Sequence, residues 1–462
     1  MSVGEAKLFG TDGVRGVANR DPVTPERALA LGQAAARVLA GSARAAARNA
    51  ARPTIVVGRD TRQSGGMLES SLVAGITSLG CDALLVGVLP TPGVAVITRS
   101  LRASAGVVIS ASHNEFSDNG IKFFRGDGYK LDDNQENCIE MEAASPPADE
   151  SRPTGVGVGR VLHVGDALGR YIEQVKASVP RGMSLDGIRI VVDCANGAAF
   201  RSTPCVLREL GAEVLAFHCQ PDGRNINADC GSTHPGEIQR LVREAGATLG
   251  ITHDGDADRV LLCDEAGEIL DGDELMAIAA TAMLREGWLA GDTLVATVMS
   301  NAGLGECIER AGGRLLRAQV GDRHVLSEML QHQANLGGEQ SGHMIFRDFT
   351  TTGDGAISAL QILRIARQTG QPLSQLKRCI EKLPQAQRSL QVASQPPLES
   401  LAAVRQVIAD AEARLGGRGR VLVRYSGTEP KARILVEGRE PDTTERAADE
   451  IAAALAAEIG GQ

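Results

Sequence analysis

The feature that most constrains the fold is a weak internal repeat of strand, loop, helix, glycine and strand. Each copy begins with an apolar run that predicts a buried strand, and a glycine suited to the left-handed conformation follows the predicted helix. The first strands lie at residues 54–58, 188–193 and 293–298, and the second strands at 83–89, 214–217 and 315–316. The copies begin roughly 100 to 135 residues apart, which favours compact α/β domains over a solenoid.

The C-terminal part has a different pattern. Alternation at 388–392 and strands at 420–425 and 432–437 accompany an amphipathic segment at 398–415 and an alanine-rich helix at 443–459. The predicted fold class is therefore α/β, with three tandem related mixed-sheet domains, a smaller C-terminal α+β domain and an active-site cleft between the four. The predicted domains are residues 1–155, 156–263, 264–375 and 376–462.

The first domain boundary is expected in a segment rich in proline, glycine and serine at 145–159 (SPPADESRPTGVGVG). Its G-V-G-V-G run has a second interpretation as a nucleotide-binding loop. No strand precedes it, so a linker is favoured. The second boundary is expected near the turn at 264–267.

Composition narrows the class of function. The chain has 462 residues, too many for one core, and its net charge of −9 argues against a nucleic-acid or anionic-membrane partner. Nine cysteines without a C-x-x-C spacing are typical of buried thiols in a reducing cytosol. The sequence contains neither a leader peptide nor an apolar run of membrane-spanning length, so a cytoplasmic protein is expected. Any anionic ligand then requires a local basic pocket.

The apolar run at 106–109 ends in Ser110, Ser112, His113 and Asn114. This pattern predicts a buried strand followed by a small-residue turn that exposes hydroxyl groups at the edge of a sheet. An ordinary serine-rich turn is the alternative at this point.

Three carboxylates at alternate positions, Asp254, Asp256 and Asp258, follow another apolar run. Side chains at i, i+2 and i+4 of an extended segment project to the same side, where their mutual repulsion favours a bound divalent cation such as Mg²⁺. A calcium EF-hand is rejected because Arg259 stands where that loop needs glycine and a strand is predicted at 260–263. A solvated acidic turn remains an alternative.

The segment R-Y-S-G-T-E-P at 424–430 is basic in an acidic chain. Its hydroxyl groups, its glycine and the flanking guanidinium groups suit a phosphate-binding loop, and a plain hairpin turn is the alternative. The candidate residues are Arg424, Ser426, Gly427, Thr428 and Arg433.

A glycine-framed loop at 337–343 (GGEQSGH) carries Glu339, Gln340, Ser341 and His343. Such a set of donors and acceptors suits the vicinal hydroxyl groups of a sugar. A catalytic Glu–Ser–His set is less favoured, because the chain has no G-x-S-x-G elbow and the three residues are too local for a hydrolase triad.

Two arginine-bearing loops are candidates for further anion contacts. The first, GTDGVRG, contains Arg15, and the second, VGDRH, contains Arg323 and His324. The chain has no Gly-Lys pair, so a Walker A loop is excluded.

Five motifs in this order, GTDGVRG, SASHN…DNGIKFF, DGDADR, GGEQSGH and RYSGTEP…R, resemble those of the α-D-phosphohexomutases. The resemblance extends from Phe9 to about Arg433. Within the family, Gln340 and the VGDR loop resemble the branch that acts on glucosamine phosphate. One departure is Glu115, where the family usually has proline, and this puts the rigidity of the local loop in doubt.

The resemblance implies a mechanism and roles for the site residues. Ser112 would be the phosphoserine and, with the three aspartates, would hold one Mg²⁺ per subunit. His113, Lys122, Arg15 and Arg259 would assist catalysis, with Lys122 as the expected general acid/base. The remaining implied residues would bind substrate: Arg323, His324, Glu339, Ser341, His343, Arg424, Ser426, Gly427, Thr428 and Arg433.

The implied reaction interconverts glucosamine 6-phosphate and glucosamine 1-phosphate through a 1,6-bisphosphate, and its product would feed UDP-N-acetylglucosamine and cell-wall precursor synthesis. Glucosamine or glucose 1,6-bisphosphate would be the activator. A phosphomannomutase/phosphoglucomutase is the alternative enzyme, and a sugar-phosphate sensor without activity is the alternative of another class. The expected partner is a small-molecule hexosamine phosphate, and neither a nucleic acid nor a membrane is expected to bind. The protein is expected to be a monomer or a homodimer.

Overall fold

The computed structural model describes residues 8–10, 12–46, 52–416, 419–426 and 430–460. Within these ranges, no helix combines the length and the apolarity needed to cross a bilayer.

The first sheet contains six strands. They are β1 (Val14–Val17), β2 (Thr54–Arg59), β3 (Asp82–Val88), β4 (Ala105–Ile109), β5 (Asp118–Arg125) and β6 (Val161–His163). Their order across the sheet is β1-β5-β4-β2-β3-β6, and β5 runs antiparallel to both of its neighbours. The helices of this part of the chain are α1 (Pro25–Ala46), α2 (Gly65–Ser78), α3 (Thr91–Ser100) and α4 (Asp133–Ala143).

The second sheet has five strands, and its third strand leads into the aspartate motif. The strands are β7 (Arg189–Asp193), β8 (Glu213–Phe217), β9 (Leu249–His253), β10 (Val260–Cys263) and β11 (Ile269–Leu270), in the order β11-β10-β9-β7-β8. The accompanying helices are α5 (Ala167–Lys176), α6 (Ser202–Glu209) and α7 (Pro235–Ala245).

The third sheet has four strands and is the smallest sheet of the three repeated units. Its strands are β12 (Thr293–Thr297), β13 (Arg314–Ala318), β14 (Leu336–Gly338) and β15 (Met344–Phe346), in the order β13-β12-β14-β15. The accompanying helices are α8 (Gly272–Glu286), α9 (Ala302–Arg310), α10 (Asp322–Gln331), α11 (Gly355–Thr369) and α12 (Leu373–Leu376).

The predicted repeat is confirmed by the strand pairing. In each unit the first two strands are parallel neighbours: β2 with β3, β7 with β8, and β12 with β13. The glycines that follow the intervening helices, Gly80, Gly211 and Gly312, have φ values of 80°, 99° and 89°. The left-handed backbone at these positions ends each helix and returns the chain to the sheet.

The repeat also places three of the predicted functional loops at equivalent positions. In each unit the third strand pairs in parallel with the first, and the next strand runs antiparallel to the third. The loops between these strands are 110–117, 254–259 and 339–343. They carry the serine, aspartate and glutamate motifs respectively.

The C-terminal unit is an antiparallel sheet with two long helices. Its strands are β16 (Gln385–Gln391), β17 (Arg420–Tyr425) and β18 (Lys431–Glu437), in the order β16-β18-β17, and its helices are α13 (Ala402–Leu415) and α14 (Pro441–Ile459). Buried apolar side chains of these elements form a separate core. The predicted architecture of three mixed-sheet α/β units and a smaller α+β unit is confirmed.

Two short strands lie just beyond the boundaries expected from the sequence. β6 pairs with β3 in the first sheet although it follows residue 155, and β11 pairs with β10 in the second sheet although it follows residue 263. Proline and glycine mark where a chain turns, whereas backbone hydrogen bonds made after the turn decide which sheet a strand joins. The exact division into four residue ranges stays a prediction.

Helices α1 and α2 are packed closely at two glycines. A Cβ on Gly75 would lie 2.2 Å from the carbonyl oxygen of Leu29, and a Cβ on Gly32 would lie 2.3 Å from that of Leu72. We expect Gly75→Ala to lower the free energy of unfolding by about 1–3 kcal/mol, because the two backbones must separate. In Gly66→Ala, a control in the same helix, the new Cβ meets nothing within 4 Å. Urea unfolding that showed equal stabilities for these variants would contradict the prediction.

Candidate active site

Ser112 lies in the first functional loop and is 1 % exposed. Its Oγ donates a hydrogen bond of 2.5 Å to Asp254 Oδ2, and it lies 3.5 Å from Nδ1 of His113. The prediction that this turn exposes its hydroxyl groups is wrong for Ser110 and Ser112, because the aspartate loop and neighbouring side chains cover both. Contact between the serine and aspartate motifs is consistent with a common site.

Asp254, Asp256 and Asp258 are buried, and one oxygen from each lies within 4.8 Å of the other two. Oδ1 of Asp256 and Oδ1 of Asp258 have no hydrogen-bond partner among the described residues. Burial, together with the charges of the other two carboxylates, raises the pKa of Asp254 well above its ordinary value. These unpartnered oxygens and this repulsion fit a hard divalent cation with oxygen ligands, so the triad is a candidate metal centre.

The aspartate loop approaches Ser112 closely because residue 255 is glycine. A Cβ at Gly255 would lie 2.5 Å from the carbonyl oxygen of Ser112. Ala257, between the second and third aspartates, has a φ of 58°, which turns the backbone sharply. Thr91 also contacts the loop, since its Oγ1 donates a 2.6 Å hydrogen bond to Asp256 Oδ2.

Lys122 is buried among carboxylates from two domains. Its Nζ lies 2.8 Å from Asp256 Oδ2, 2.9 Å from Asp12 Oδ2 and 3.7 Å from Asp258 Oδ2. Burial alone would lower the pKa of Lys122, but these three charges outweigh it and raise that pKa above its ordinary value. The side chain is therefore an ammonium group, which is suited to neutralise negative charge.

A second lysine extends this network to the third domain. Lys130 Nζ lies 2.5 Å from Asp12 Oδ1 and forms an ion pair with Asp322. His343 lies between Asp322 and Asp258, with its ring nitrogens 3.6 Å and 3.7 Å from their Oδ2 atoms. The network therefore joins the first three domains at the site.

Positive charge from Arg15 and Arg259 acts on His113, the residue that follows Ser112. The Nε atoms of Arg15 and Arg259 are buried and have no hydrogen-bond partner among the described residues. Burial, followed by the charges of Arg259 and Arg15, lowers the pKa of His113 to about 4. His113 is therefore neutral near pH 7, and the two guanidinium groups provide donors suited to a phosphoryl group.

The glutamate loop packs against the aspartate loop. Arg259 and His343 form a backbone bridge, and Val260 N donates to Gly342 O at 3.1 Å. Oε1 of Glu339 accepts a 3.0 Å hydrogen bond from Gly321 N, while Ser341 is exposed with its Oγ 3.4 Å from Glu339 Oε2. The loop thus adjoins the metal centre and presents a hydroxyl group to solvent.

The structure does not bring Arg323 together with the other candidates. Its guanidinium forms ion pairs with Asp133 and Glu136 of helix α4, and His324 is exposed. In this conformation Arg323 links the third domain to the first and is not open to a ligand.

In the C-terminal domain, Arg424 and Arg433 are opposite each other on adjacent strands. They line a cavity of about 220 Å³ together with Met299 of the third domain and Arg388. Burial, followed by the charge of Arg433, lowers the pKa of Arg424, whose Nε has no hydrogen-bond partner among the described residues. This concentration of positive charge suits an anion.

Three further candidates follow Arg424 in the sequence. Ser426 is buried, and its backbone N–H donates to Lys431 O at 2.8 Å. Gly427 and Thr428 lie outside the described residues.

Several residues of the site were not singled out from the sequence. Asp12 lies in the GTDGVRG motif three residues before Arg15, and Asp322 lies in the VGDRH motif directly before Arg323. Asp60 and Arg62 follow β2, and polar residues at the carboxyl ends of parallel strands are a usable signal for a site. Lys130 stands alone in the sequence, and only the fold brings it to the site.

Comparison with known sequence families accounts for most of the chain. The descriptions "Phosphoglucomutase/phosphomannomutase, alpha/beta/alpha domain" I, II and III match residues 6–148, 169–267 and 271–383. The C-terminal domain of the same family matches residues 389–454.

Curated relatives match over nearly the full length. A phosphoglucosamine mutase from Geobacter sp. (strain M21) is 52 % identical over 456 residues, covering 99 % of each chain. A phosphoglucosamine mutase from Pelobacter propionicus is 53 % identical over 434 residues, covering 94 % of each chain.

Solved structures share the fold. A phosphoglucomutase/phosphomannomutase family protein from Burkholderia thailandensis has a TM-score of 0.80 at 23 % identity, covering 98 % of this chain and 97 % of that one. N-acetylphosphoglucosamine mutase from Aspergillus fumigatus, solved with GlcNAc-6P and magnesium, has a TM-score of 0.61 at 18 % identity, covering 79 % of this chain and 92 % of that one. The resemblance stated from the motifs is confirmed, and the chain belongs to the phosphoglucomutase/phosphomannomutase family of α-D-phosphohexomutases.

Proposed function

We propose that this chain interconverts glucosamine 6-phosphate and glucosamine 1-phosphate, with Ser112 as the phosphoryl carrier. The observation that carries the proposal is the contact between Ser112 Oγ and Asp254 within a triad of buried carboxylates. The substrate is inferred from relatives more than 50 % identical over nearly the full length, which are named phosphoglucosamine mutases. As a phosphohexomutase, the enzyme is an isomerase.

In the first half-reaction, a hydroxyl oxygen of the sugar attacks the phosphorus carried by Ser112. The bond from phosphorus to Ser112 Oγ breaks as the bond to the sugar oxygen forms, and a hexosamine 1,6-bisphosphate results. Lys122, the proposed general acid/base, would give a proton to Ser112 Oγ as that atom leaves and take up the proton that the sugar hydroxyl loses, so the step releases no net proton.

Asp254, Asp256 and Asp258, with an oxygen on Ser112, would hold Mg²⁺. When bound there, the cation would offset the negative charge on the transferring phosphoryl group. Arg15 and Arg259 would supply N–H donors to the transferring group, since the Nε of each is buried without a hydrogen-bond partner among the described residues.

The second half-reaction requires the bisphosphate to turn end for end. The phosphate that is not reacting then needs a separate receptor, and the Arg424–Arg433 pair of the C-terminal domain suits that role. Ser426, Gly427 and Thr428 belong to the proposed receptor. Glu339, Ser341 and His343 would bind sugar hydroxyl groups in both orientations, and Arg323 and His324 would join them if the ion pairs of Arg323 open.

Glucosamine or glucose 1,6-bisphosphate is the proposed activator, because either would phosphorylate a dephosphorylated Ser112. To test the function, we would compare kcat/KM on glucosamine, glucose and mannose 6-phosphates with enzyme first treated with glucose 1,6-bisphosphate and Mg²⁺. The proposal expects the highest value on glucosamine 6-phosphate. Preference for mannose or glucose 6-phosphate would favour a phosphomannomutase/phosphoglucomutase, and no turnover at all would favour a sensor.

Arg424→Ala is expected to lower kcat/KM for glucosamine 6-phosphate about 10- to 100-fold, mainly through KM, because a charge-assisted hydrogen bond to phosphate is lost. Arg388→Ala is the matched control, since Arg388 lines the same cavity but is paired with Glu445 and Asp449. Steady-state kinetics of both variants test the receptor, and wild-type values for Arg424→Ala would contradict it.

A further inference from the structure

The backbone of the Ser112 loop converges on one buried side chain, Arg62. Nη2 of Arg62 donates to Ser112 O at 2.9 Å and to Asn114 O at 2.8 Å, and Nη1 donates to Glu115 O and, at 3.1 Å, to Asp118 O. Arg62 is 1 % exposed. Three carbonyl groups of the Ser112 loop and one from the first residue of β5 therefore share one guanidinium.

The same guanidinium is also linked to the backbone N–H of Ser112, through Asp60 and Ser110. Nε of Arg62 donates to Asp60 Oδ2 at 2.9 Å, and Ser110 Oγ donates to that oxygen at 2.7 Å. Ser110 Oγ in turn accepts a 2.9 Å hydrogen bond from Ser112 N. The backbone N–H and C=O of Ser112 are thus both fixed by one closed circuit, and all five N–H groups of Arg62 are used.

Asn227 adds a contact from the second domain. Its Nδ2 donates to Ser112 O at 2.9 Å and to Asn114 O at 3.0 Å, the two carbonyl groups that Nη2 of Arg62 also holds. Asn227 is 6 % exposed. The domain that carries the aspartate loop therefore helps to hold the serine loop.

Ser112 needs such restraint because its φ is 52°. A residue with a Cβ is disfavoured in the left-handed region, by about 1–2 kcal/mol, and it stays there only where its surroundings hold it. Carbonyl groups that point at one another also repel unless a cation lies between them.

We propose that Arg62 is a positioning residue that holds Ser112 in reach of the aspartate triad, with Asn227 as a secondary support. Its effect on turnover rests on the proposed mutase function. At Glu115, Arg62 donates to the backbone carbonyl, a contact that does not depend on the residue type at that position.

Arg62→Lys tests the proposal, because lysine keeps the charge but has only three donors for these five contacts. We expect kcat to fall about 100-fold with KM within about threefold, since a small displacement of a reacting group has effects of that size. Phosphorylation of Ser112 by glucose 1,6-bisphosphate, followed by intact mass, is expected to slow in parallel.

Arg52→Lys is the matched control. Arg52 also joins a carboxylate, Asp82, to two loop carbonyls, those of Val156 and Val158, in the same domain but away from Ser112. Its kcat is expected to stay within about twofold of wild type. Equal kcat values for the Arg62 and Arg52 variants would overturn the proposal, as would a change in KM alone.

Asn227→Ala keeps the proposal testable if Arg62→Lys fails to fold, and a fall in kcat of about tenfold is expected because one of two donors to Ser112 O is lost. Hydrogen exchange of the peptide covering 111–120 gives a readout that does not depend on activity. Faster exchange there in the Arg62 or Asn227 variant, but not in Arg52→Lys, supports the restraint, and unchanged exchange overturns it. An inactive wild type would instead refute the proposed function and leave the exchange result to decide on Arg62.

Discussion

Replacing Ser112 by alanine is expected to lower kcat for glucosamine 6-phosphate by more than about 10³-fold. The hydroxyl group is the proposed carrier, and no other group can take over a covalent step of this kind once the attacking oxygen is gone. The fold should survive, because among the described residues the side chain makes one hydrogen bond, to Asp254, and one contact, with His113. Turnover is measured with a coupled assay for glucosamine 1-phosphate.

The matched control is Ser117→Ala, since Ser117 is exposed in the same loop. Its kcat should equal that of the wild type. Intact mass after incubation with glucose 1,6-bisphosphate should show a phosphoryl group on the wild type and the Ser117 variant only. Full activity of Ser112→Ala would refute the phosphoserine mechanism and favour a different carrier.

Asp254→Asn is expected to have opposite effects on stability and activity. Without metal, the ionised form of Asp254 is disfavoured in the folded protein, because burial and the charges of Asp258 and Asp256 raise its pKa. A carboxyl whose pKa is raised on folding costs stability at pH values above its ordinary pKa. Asparagine cannot ionise, so the metal-free variant should have a higher Tm than the metal-free wild type.

With Mg²⁺ present, the order should reverse. The cation stabilises a folded protein that binds it, so Mg²⁺ should raise the Tm of the wild type and have little effect on Asp254→Asn. Turnover of the variant should fall by more than about 100-fold. Calorimetry with EDTA and with Mg²⁺ measures the first effect, with the exposed Asp229→Asn as control. A metal-free Asp254→Asn less stable than the wild type would be evidence against repulsion within the triad.

The repeat was readable because it depends on local rules. Apolar runs of strand length, helices between them and glycines that adopt positive φ determine the βαβ units, and these appear in the sequence in order. The same reading located the serine and aspartate motifs, since each follows an apolar run, while the glutamate motif was found from the polar side chains of its glycine-framed loop. It did not reveal that the three loops are equivalent, because that follows from the antiparallel partner of each third strand.

The burial of Ser112 could not be predicted from the local sequence. The turn that follows β4 is polar, and its pattern predicts exposed hydroxyl groups. In the structure, Gly255 of the second domain packs against the carbonyl of Ser112, and Arg62 donates a hydrogen bond to the same carbonyl. Arg323 is a second example. The sequence predicts that it contacts a ligand, but in the structure its guanidinium forms ion pairs with two carboxylates of helix α4. Both outcomes depend on contacts between residues far apart in the chain.

The sequence by itself determined the first two strands of each repeated unit, the glycines that end the helices between them, the family motifs and the residue types of the site, because these follow from local conformational preference and side-chain chemistry. Only the tertiary structure decided which charges meet. Lys122 lies among Asp12, Asp256 and Asp258, and Lys130 joins Asp12 to Asp322, across segments that are distant in sequence. Coulomb energy and burial depend on distance in space and not on separation along the chain, so the electrostatics of this site exist only in the folded protein.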